Sequence, residues 1–234
     1  MKDVIGISAY YHDSSVALIR DGQITAFIKE ESLTRIKGIS SFPKQSLEYL
    51  VNNYQVTDNT LDLICFYEKP LRGWLSLLGH SLEKPVARWR QTSNLLRSFW
   101  DGPVFIGEEL KKIFPTAKKK LIYSEHHLSH ALTGIIHADP DLDWTAIILD
   151  GVGDGETGSI FSIRNHEFKR LWTQSFPNSI GLFYSAITDF LGYAVNDGEY
   201  KIMALASYGT PKYQSFMLDK IINFEKGELK LNLN

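Results

Sequence analysis

The sequence predicts an α/β fold in which a pattern of three strands occurs twice. The first copy covers about residues 4–29 and the second about residues 145–173. In each copy, short apolar runs are separated first by a polar loop and then by a tight turn, which predicts strand, loop, strand, turn and strand. Residue identity between the copies is low, so the repeat is one of pattern. Most of the sequence between the copies has helical character.

The first copy begins with the apolar run Val4–Ser8, which predicts a buried strand. Residues 9–14 form a polar loop after this strand. A second strand is predicted for Ser15–Arg20 and a third for Gln23–Lys29, because the Asp-Gly dipeptide between them is typical of a hairpin turn.

The segment between the copies is predicted to hold a helix, a strand and a larger helical insertion. Pro43–Tyr54 begins with a proline and has the periodicity of an amphipathic helix, and Leu61–Tyr67 is an apolar run typical of a strand. The insertion covers about residues 70–115, and it can either pack for stability or form a lid over a binding cleft. Apolar residues at helical spacing within it are Val86, Trp89, Leu96 and Trp100.

The second copy begins with Thr145–Leu149, which predicts a buried strand. Residues 150–156, rich in Gly and Asp, are predicted to form a loop whose backbone can approach a phosphate. Strands are predicted for Ser159–Ile163 and Phe168–Thr173, with a turn between them.

Helices are predicted for most of the sequence after the second copy. They cover Ser179–Leu191, the short segment Ile202–Ala206 and the amphipathic segment Lys212–Phe224. Residues 227–234 have the pattern of a hairpin-like tail.

Two strand units that each present a polar loop at a strand end can face each other across a cleft, where α/β folds bind ligands. The actin-like ATPase (ribonuclease H-like) fold is built in this way and binds nucleotide phosphates between the two loops. We therefore predict this fold, with the first subdomain at residues 1–140 and an incomplete second subdomain at residues 141–234. The facing loops are then His12-Asp13 and Asp150–Asp154.

A histidine pair followed by a strand-terminal carboxylate is the main candidate for a site. His126 and His130 are four residues apart, so a helix running to about Ile136 places both rings on one face. With Asp150 at the end of the next strand, they form a two-histidine, one-carboxylate set that suits Fe(II) and, less exclusively, Zn or Mn. A zinc protease is disfavoured because His127 replaces the required Glu. A helix whose histidines only make local hydrogen bonds remains an alternative.

The composition indicates a globular protein without a general electrostatic partner. The chain has 234 residues and a net charge of −2, which favours neither nucleic acid nor a membrane surface as a partner. The single cysteine, Cys65, cannot form a disulfide within the chain, which favours a reducing, cytoplasmic location. The N-terminus has no signal-peptide core, and no apolar run is long enough to span a membrane.

Five segments in series resemble a known family. They are Tyr11–Ser15, Glu30–Arg35, Ser124–Ala131, Leu149–Gly153 and Gly198–Met203. Together they resemble the O-carbamoyltransferase family, which includes nodulation-factor and antibiotic-tailoring carbamoyltransferases. The resemblance extends over nearly the whole chain but only over the first part of such enzymes.

The resemblance implies an actin-like N-terminal domain related to tRNA threonylcarbamoyl-transferring proteins. In the family, a C-terminal domain uses ATP to convert carbamoyl phosphate into carbamoyl-adenylate. The carbamoyl group then passes to a hydroxyl of a small-molecule acceptor, such as a sugar or an antibiotic, while an iron ion holds the adenylate phosphate. We expect the activating half to be missing here, so that the chain is a gene fragment or half of a split enzyme with a separate partner chain.

The same resemblance assigns roles to particular residues. His126, His130 and Asp150 correspond to metal ligands, and His12 to the general base that accepts the hydroxyl proton. Lys37 is a candidate for binding the carbamoyl or phosphate group. The residues that correspond to nucleotide contacts are Asp150, Gly151, Val152, Gly153, Gly181 and Gly198. For His12 and Lys37, a hydrogen-bonding loop residue and an exposed lysine are the respective alternatives.

Two other functions remain open at this point. One is an inactive or regulatory nucleotide-binding fragment that acts by association. The other is a phosphotransferase of the sugar-kinase type on the same fold, against which the histidine pair argues, because kinases use Mg²⁺ held by carboxylates.

Overall fold

A mixed five-stranded sheet and an antiparallel three-stranded sheet, each associated with helices, confirm the predicted α/β class. The structure is a computed structural model that describes residues 2–82, 102–139, 141–165, 167–225 and 227–232. The chain divides into two units, Met1–His126 and His127–Asn234. The apolar residues Val86, Trp89, Leu96 and Trp100 of the predicted insertion lie outside the described residues.

The first unit contains the five-stranded sheet, whose order is β3-β2-β1-β4-β5. The first three strands are antiparallel neighbours, whereas β4 and β5 continue the sheet in parallel with β1. This arrangement confirms the first predicted three-strand unit. The strands are β1 (Asp3–Ser8), β2 (Ser15–Arg20), β3 (Gln23–Lys29), β4 (Leu61–Phe66) and β5 (Leu121–Tyr123).

Helices of the first unit close an apolar core against this sheet. The alternating burial of β1 places Ile5 and Ile7 in the core, where they join Leu47 and Leu50 from the amphipathic helix predicted at residues 43–54. Phe66 at the end of β4 is fully buried in the same cluster. The helices are α1 (Glu30–Thr34), α2 (Lys44–Tyr54), α3 (Pro70–Leu82), α4 (Ile106–Lys111) and α5 (Ala117–Lys120), with a 3₁₀ turn at Pro103–Phe105.

A buried ion pair joins β1 to β2 at the start of the sheet. The side chain of Asp3 is fully buried and accepts hydrogen bonds from Arg20 Nε at 2.7 Å and Nη2 at 3.1 Å. These bonds favour the ionised carboxylate and lower the pKa of Asp3. Because the folded-state pKa is below the unfolded-state one, the pair stabilises the fold at neutral pH, and this contribution is lost as the pH falls through the folded-state pKa.

We expect Asp3→Asn to lower the free energy of unfolding at neutral pH by about 1–2 kcal/mol, because the amide cannot replace both charge-assisted bonds. The difference from the wild type should shrink in acid, where both proteins lack the carboxylate charge. Urea unfolding at neutral and acidic pH measures both values. The control is Asp62→Asn, whose carboxylate is half-exposed and 3.5 Å from Lys2 Nζ. An equal loss in both variants would contradict the prediction.

The second unit contains the three-stranded sheet in the order β6-β7-β8, with both pairs antiparallel. This sheet confirms the second predicted three-strand unit. A smaller antiparallel hairpin, β9-β10, forms from residues near the end of the chain. The strands are β6 (Trp144–Gly153), β7 (Glu156–Arg164), β8 (Glu167–Ser175), β9 (Ile222–Glu225) and β10 (Glu228–Leu231).

One face of the three-stranded sheet is covered by the helix α6 (His126–Ile135), which begins at the last residue of the first unit. Ala131 from α6 packs with Ile148, Phe161 and Ile163 from the sheet. After the sheet come α7 (Ile180–Phe190), α8 (Glu199–Ala206), the short helix α9 (Gln214–Phe216) and a π-helical turn at Met217–Ile221.

Two sequence predictions in the second unit are wrong. The predicted loop at residues 150–156 is strand up to Gly153, and the turn consists of Asp154 and Gly155 alone, with φ of 53° and 83°. An Asp-Gly pair with positive φ at both positions forms a tight hairpin, so the flanking residues remain paired. The predicted helix Lys212–Phe224 ends at Ile221, because Ile222–Glu225 pairs with β10 instead.

Within the described part of the chain, no helix has both the length and the apolar character that are needed to cross a membrane.

Candidate metal centre

Helix α6 carries the two histidines of the candidate site. It begins at His126 and ends at Ile135, as predicted from the sequence to within one residue. The ring of His126 is nearly buried, whereas the ring of His130, one turn later, is half-exposed. Because residues four apart lie on the same side of a helix, the backbone of α6 alone directs both rings the same way.

The structure brings Asp150 to these two rings. One nitrogen of His126, one nitrogen of His130 and one carboxylate oxygen of Asp150 all lie within 4.8 Å of one another. His130 Nε2 lies 3.5 Å from Asp150 Oδ2. Nitrogen and oxygen ligands bind Zn or similar ions at about 2.0–2.2 Å, so ligand atoms on one ion are roughly 3–4 Å apart. The three side chains therefore fit a single ion after small side-chain adjustments.

The other carboxylate oxygen of Asp150 is held by its own backbone. Gly151 N donates to Asp150 Oδ1 at 2.6 Å. This bond fixes the orientation of the carboxylate, with Oδ2 on the side of His130. Asp150 lies in β6 beyond Leu149, where the regular register with β7 is interrupted until Gly153. The irregular strand end thus gives its side chain a fixed direction.

The first turn of α7 is attached to the backbone of this strand end. Ser179, the N-cap of α7, accepts a hydrogen bond from Leu182 N at 3.0 Å. Its hydroxyl oxygen also lies 2.9 Å from Asp150 O and 2.7 Å from Gly151 O, within donating distance of either carbonyl. Ser179 is buried. It therefore fixes the start of α7 beside the candidate metal ligand.

Gly181 allows α7 to approach β6 this closely. A Cβ atom at position 181 would lie 2.5 Å from Asp150 O and 2.6 Å from Gly151 N, which are rigid backbone atoms. Gly198, the N-cap of α8, is similarly crowded, since a Cβ there would lie 2.5 Å from Tyr193 Cβ and 2.8 Å from Ala194 O. Both glycines thus have a packing role, and their predicted nucleotide contacts remain predictions.

His12 and Lys37 both lie in loops of the first unit. His12 is half-exposed after β1, and its Nδ1 lies 3.0 Å from Asp13 Oδ2. This hydrogen bond, together with the nearby Lys29, lowers the pKa of the Asp13 carboxyl. Asp13 therefore stays ionised and holds the His12 ring in one orientation. Lys37 is exposed in the turn that follows α1.

A buried polar cluster beneath α6 was missed in the sequence. His127 is fully buried, with Nδ1 2.7 Å from Ser159 Oγ and 3.4 Å from Glu156 Oε2. Arg170 Nη1 donates to Glu156 Oε2 and, at 3.0 Å, to Ser159 Oγ. The His-His dipeptide was a signal: when His126 and His130 share one face of a helix, His127 points elsewhere. This cluster fixes the rotation of α6 on the sheet.

Glu68 is a second residue near the site that the sequence analysis does not identify. It lies two residues beyond the end of β4, and Glu68 Oε2 lies 3.5 Å from Nδ1 of His126. The ring of Tyr67 is 5.4 Å from the His126 ring. A carboxylate at the carboxyl end of a parallel strand is a usual place for a functional group. A carboxylate at a strand end could be recognised in the sequence, but its proximity to His126 could not be predicted.

The fold and the three side chains define a mixed α/β protein with a candidate metal centre of two imidazoles and one carboxylate. The family model described as "Carbamoyltransferase N-terminus" matches residues 3–234, and the chain belongs to this family. The resemblance deduced from the sequence motifs is thereby confirmed.

Two relatives show how much of a longer protein this chain represents. Uncharacterized protein sll1178 of Synechocystis sp. is 36% identical over all of this chain but only 39% of its own length. Nodulation protein NolNO of Sinorhizobium fredii is 30% identical over 87% of this chain and 29% of its own length. The chain therefore spans less than two fifths of either relative.

Among solved structures, YeaZ from Pseudomonas aeruginosa matches 76% of this chain and 68% of its own, with 12% identity and a TM-score of 0.39. A likeness of this size carries no argument about fold or function.

Proposed function

We propose that this chain is the N-terminal part of an O-carbamoyltransferase, which transfers a carbamoyl group from carbamoyl-adenylate to a hydroxyl of a small molecule. The observation that carries the proposal is the meeting of His126, His130 and Asp150 in a member of the carbamoyltransferase family. Two nitrogen donors and one oxygen donor suit Fe(II), with Zn or Mn as alternatives. When bound, such an ion supplies positive charge for the adenylate phosphate.

The fold proposed for this function is the actin-like one. Supporting it, the first sheet has the order β3-β2-β1-β4-β5, with an antiparallel three-strand unit extended by two parallel strands. A second antiparallel three-strand unit, β6-β7-β8, repeats the beginning of that arrangement. Polar residues follow β1 and end β6, where this fold places ligands.

In the proposed reaction, the acceptor hydroxyl oxygen attacks the carbamoyl carbon. The bond between that carbon and the phosphate oxygen breaks, AMP leaves with the electron pair, and the hydroxyl proton passes to His12. The geometry of His12 supports this role, because a proton on Nδ1 is shared with Asp13 and leaves the Nε2 lone pair to act as base. Lys37 would bind the carbamoyl or phosphate group as a point charge.

The proposed nucleotide contacts are Asp150–Gly153, Gly181 and Gly198. Those at the end of β6 adjoin the capped start of α7, whose first backbone N–H groups are suitable donors for an anion. A close backbone approach is possible there because the strand ends in small residues. Asp150 would then act both as metal ligand and as neighbour of the phosphate.

Complete activity is proposed to require the C-terminal part that the longer relatives contain, in the same chain or in a separate one. ATP and carbamoyl phosphate would be used by that part, and the acceptor would be a sugar or an antibiotic-like hydroxyl compound. A cytoplasmic location belongs to the proposal, since the single cysteine suits a reducing compartment.

The test supplies carbamoyl-adenylate, labelled in the carbamoyl carbon, to the Fe(II)-loaded chain and a panel of sugars and aminoglycosides. The chain is assayed alone and together with the C-terminal polypeptide of Uncharacterized protein sll1178. We expect AMP release coupled to labelling of an acceptor when both parts are present, because the ion and His12 then act on a bound adenylate. Mass spectrometry of the acceptor and chromatography of AMP give the two readouts.

The other outcomes identify the competing functions. Binding of AMP without transfer under every condition would indicate a regulatory or inactive nucleotide-binding fragment. Phosphorylation of a sugar from ATP would indicate a phosphotransferase. Either result would overturn the proposal.

A further inference from the structure

A carboxylate close to a candidate metal ligand has no role in the proposed reaction. Glu68 Oε2 lies 3.5 Å from His126 Nδ1, and both side chains are largely buried, with 18% and 10% exposed. This distance between Nδ1 and Oε2 exceeds the length of an ideal hydrogen bond by only about 0.5 Å. In surroundings of low dielectric constant, a carboxylate at this distance polarises an imidazole far more than in water.

The backbone around Glu68 is fixed on both sides. Tyr67 N donates to Ile7 O at 3.3 Å, and Ser124 N donates to Phe66 O at 2.9 Å, so the ends of β4 and β5 are held side by side. Lys69 Nζ donates to Glu125 Oε1 at 2.9 Å, directly before His126. Glu68 thus stands between two anchored residues and faces the first residue of α6.

We propose that Glu68 is a positioning residue that orients His126 as a metal ligand. A metal-binding histidine usually donates its other ring N–H to a carboxylate, which fixes the ring and makes the ligating nitrogen more basic. With the Nδ1 proton directed to Glu68, the Nε2 lone pair of His126 would be the one that binds the ion. This inference rests on the proposed metal centre and adds a residue that neither the motifs nor the ligand set contains.

The test compares Co(II) and Zn(II) affinities of the wild-type chain, Glu68→Ala, Glu68→Gln and Glu125→Ala. Glu125 is the matched control, because it is the adjacent carboxylate directly before α6 and accepts a hydrogen bond from Lys69 Nζ at 2.9 Å. Affinities are measured by competition with a chromophoric chelator, and the visible spectrum of Co(II) reports the ligand geometry. Melting temperatures are measured without metal.

We expect Glu68→Ala to weaken metal binding about 10–100-fold and to alter the Co(II) spectrum. Glu68→Gln should recover much of the affinity, since its amide oxygen still accepts the Nδ1 proton. Glu125→Ala should bind within about twofold of the wild type, because it removes the same charge from a carboxylate that binds Lys69. A merely structural role would lower the melting temperature of the metal-free chain and leave the spectrum of the bound fraction unchanged.

The possible failures are distinguishable. If the wild type binds metal and His126→Ala does not, but both Glu68 variants bind like Glu125→Ala, the role of Glu68 is refuted and the metal centre stands. If Glu68→Ala does not fold, Glu68→Leu, which keeps the bulk of the side chain but removes the acceptor, takes its place, and wild-type affinity with an unchanged Co(II) spectrum would then refute the role. If the wild type does not bind either ion, the proposed metal centre fails and this inference fails with it.

Discussion

A chain in which His126 and His130 are both replaced by alanine is expected to lose stoichiometric metal binding. The wild type should bind about one Fe(II) or Zn(II) per chain, whereas the affinity of the double variant should fall more than about 100-fold. The reason is that Asp150 would remain as the single ligand of the three that the structure places within 4.8 Å. Carbamoyl transfer by the complete system should be lost in parallel. Elemental analysis and chelator competition measure the binding.

Two further variants make this result specific. His137→Ala removes an exposed histidine just beyond the end of α6, and it should retain full metal binding. His12→Asn should also retain the metal but lose carbamoyl transfer, because its proposed role is that of a base and not of a metal ligand. Retention of one tightly bound ion by the double variant would refute the site. Loss of metal binding in His137→Ala would show that the metal affinity does not come from the predicted ligands alone.

The part of the site that could be predicted from the sequence depends on local periodicity. The spacing of His126 and His130 needs only a helix, and the cap and breaker signals around residues 124–139 supply one. Asp150 could be found because an apolar run that ends in a carboxylate is typical of a strand end at a ligand site. We could predict that the three side chains converge because the two motifs are close in sequence.

What could not be predicted depends on contacts between distant residues. Glu68 and His126 are separated by the insertion, the helix α5 and the strand β5, so no periodicity connects them. The buried cluster of His127 is similar, since its partners lie on β7 and β8, and their polarity alone would suggest exposed positions. From their residue types alone, Ser159 and Glu156 would be predicted to lie on the surface, although both are buried.

The two errors in secondary structure have a related cause. The Gly- and Asp-rich segment 150–156 has the composition of a loop, but only Asp154 and Gly155 are needed to reverse the chain, and pairing of Gly153 with Glu156 closes the hairpin beyond an irregular stretch of β6. At residues 222–225, the apolar spacing fits a helix or a strand. The segment forms a strand because it pairs with Glu228–Leu231, and this pairing cannot be deduced from the spacing of apolar residues.

Loss of Arg170 is expected to destabilise the fold strongly although it removes no proposed metal ligand. Arg170 is the cationic partner of Glu156, whose side chain is only 8% exposed, and its guanidinium also lies over the ring of Phe161 at 4.7 Å. We expect Arg170→Met to lower the free energy of unfolding by about 3–5 kcal/mol, because it leaves a buried carboxylate without its counter-charge. Denaturant unfolding, monitored by circular dichroism, measures this loss.

A matched control is available on the neighbouring strand. Arg164 pairs with Asp143 at 3.2 Å, but both side chains are largely exposed, so Arg164→Met should change stability by less than about 1 kcal/mol. The double variant Arg170→Met, Glu156→Gln should recover part of the loss, since it removes the unpaired charge. Because Glu156 and Ser159 hold His127, the single variant should also weaken metal binding by freeing the rotation of α6. A cluster that contributes nothing to the metal centre would leave the Co(II) affinity of the folded variant at the wild-type value.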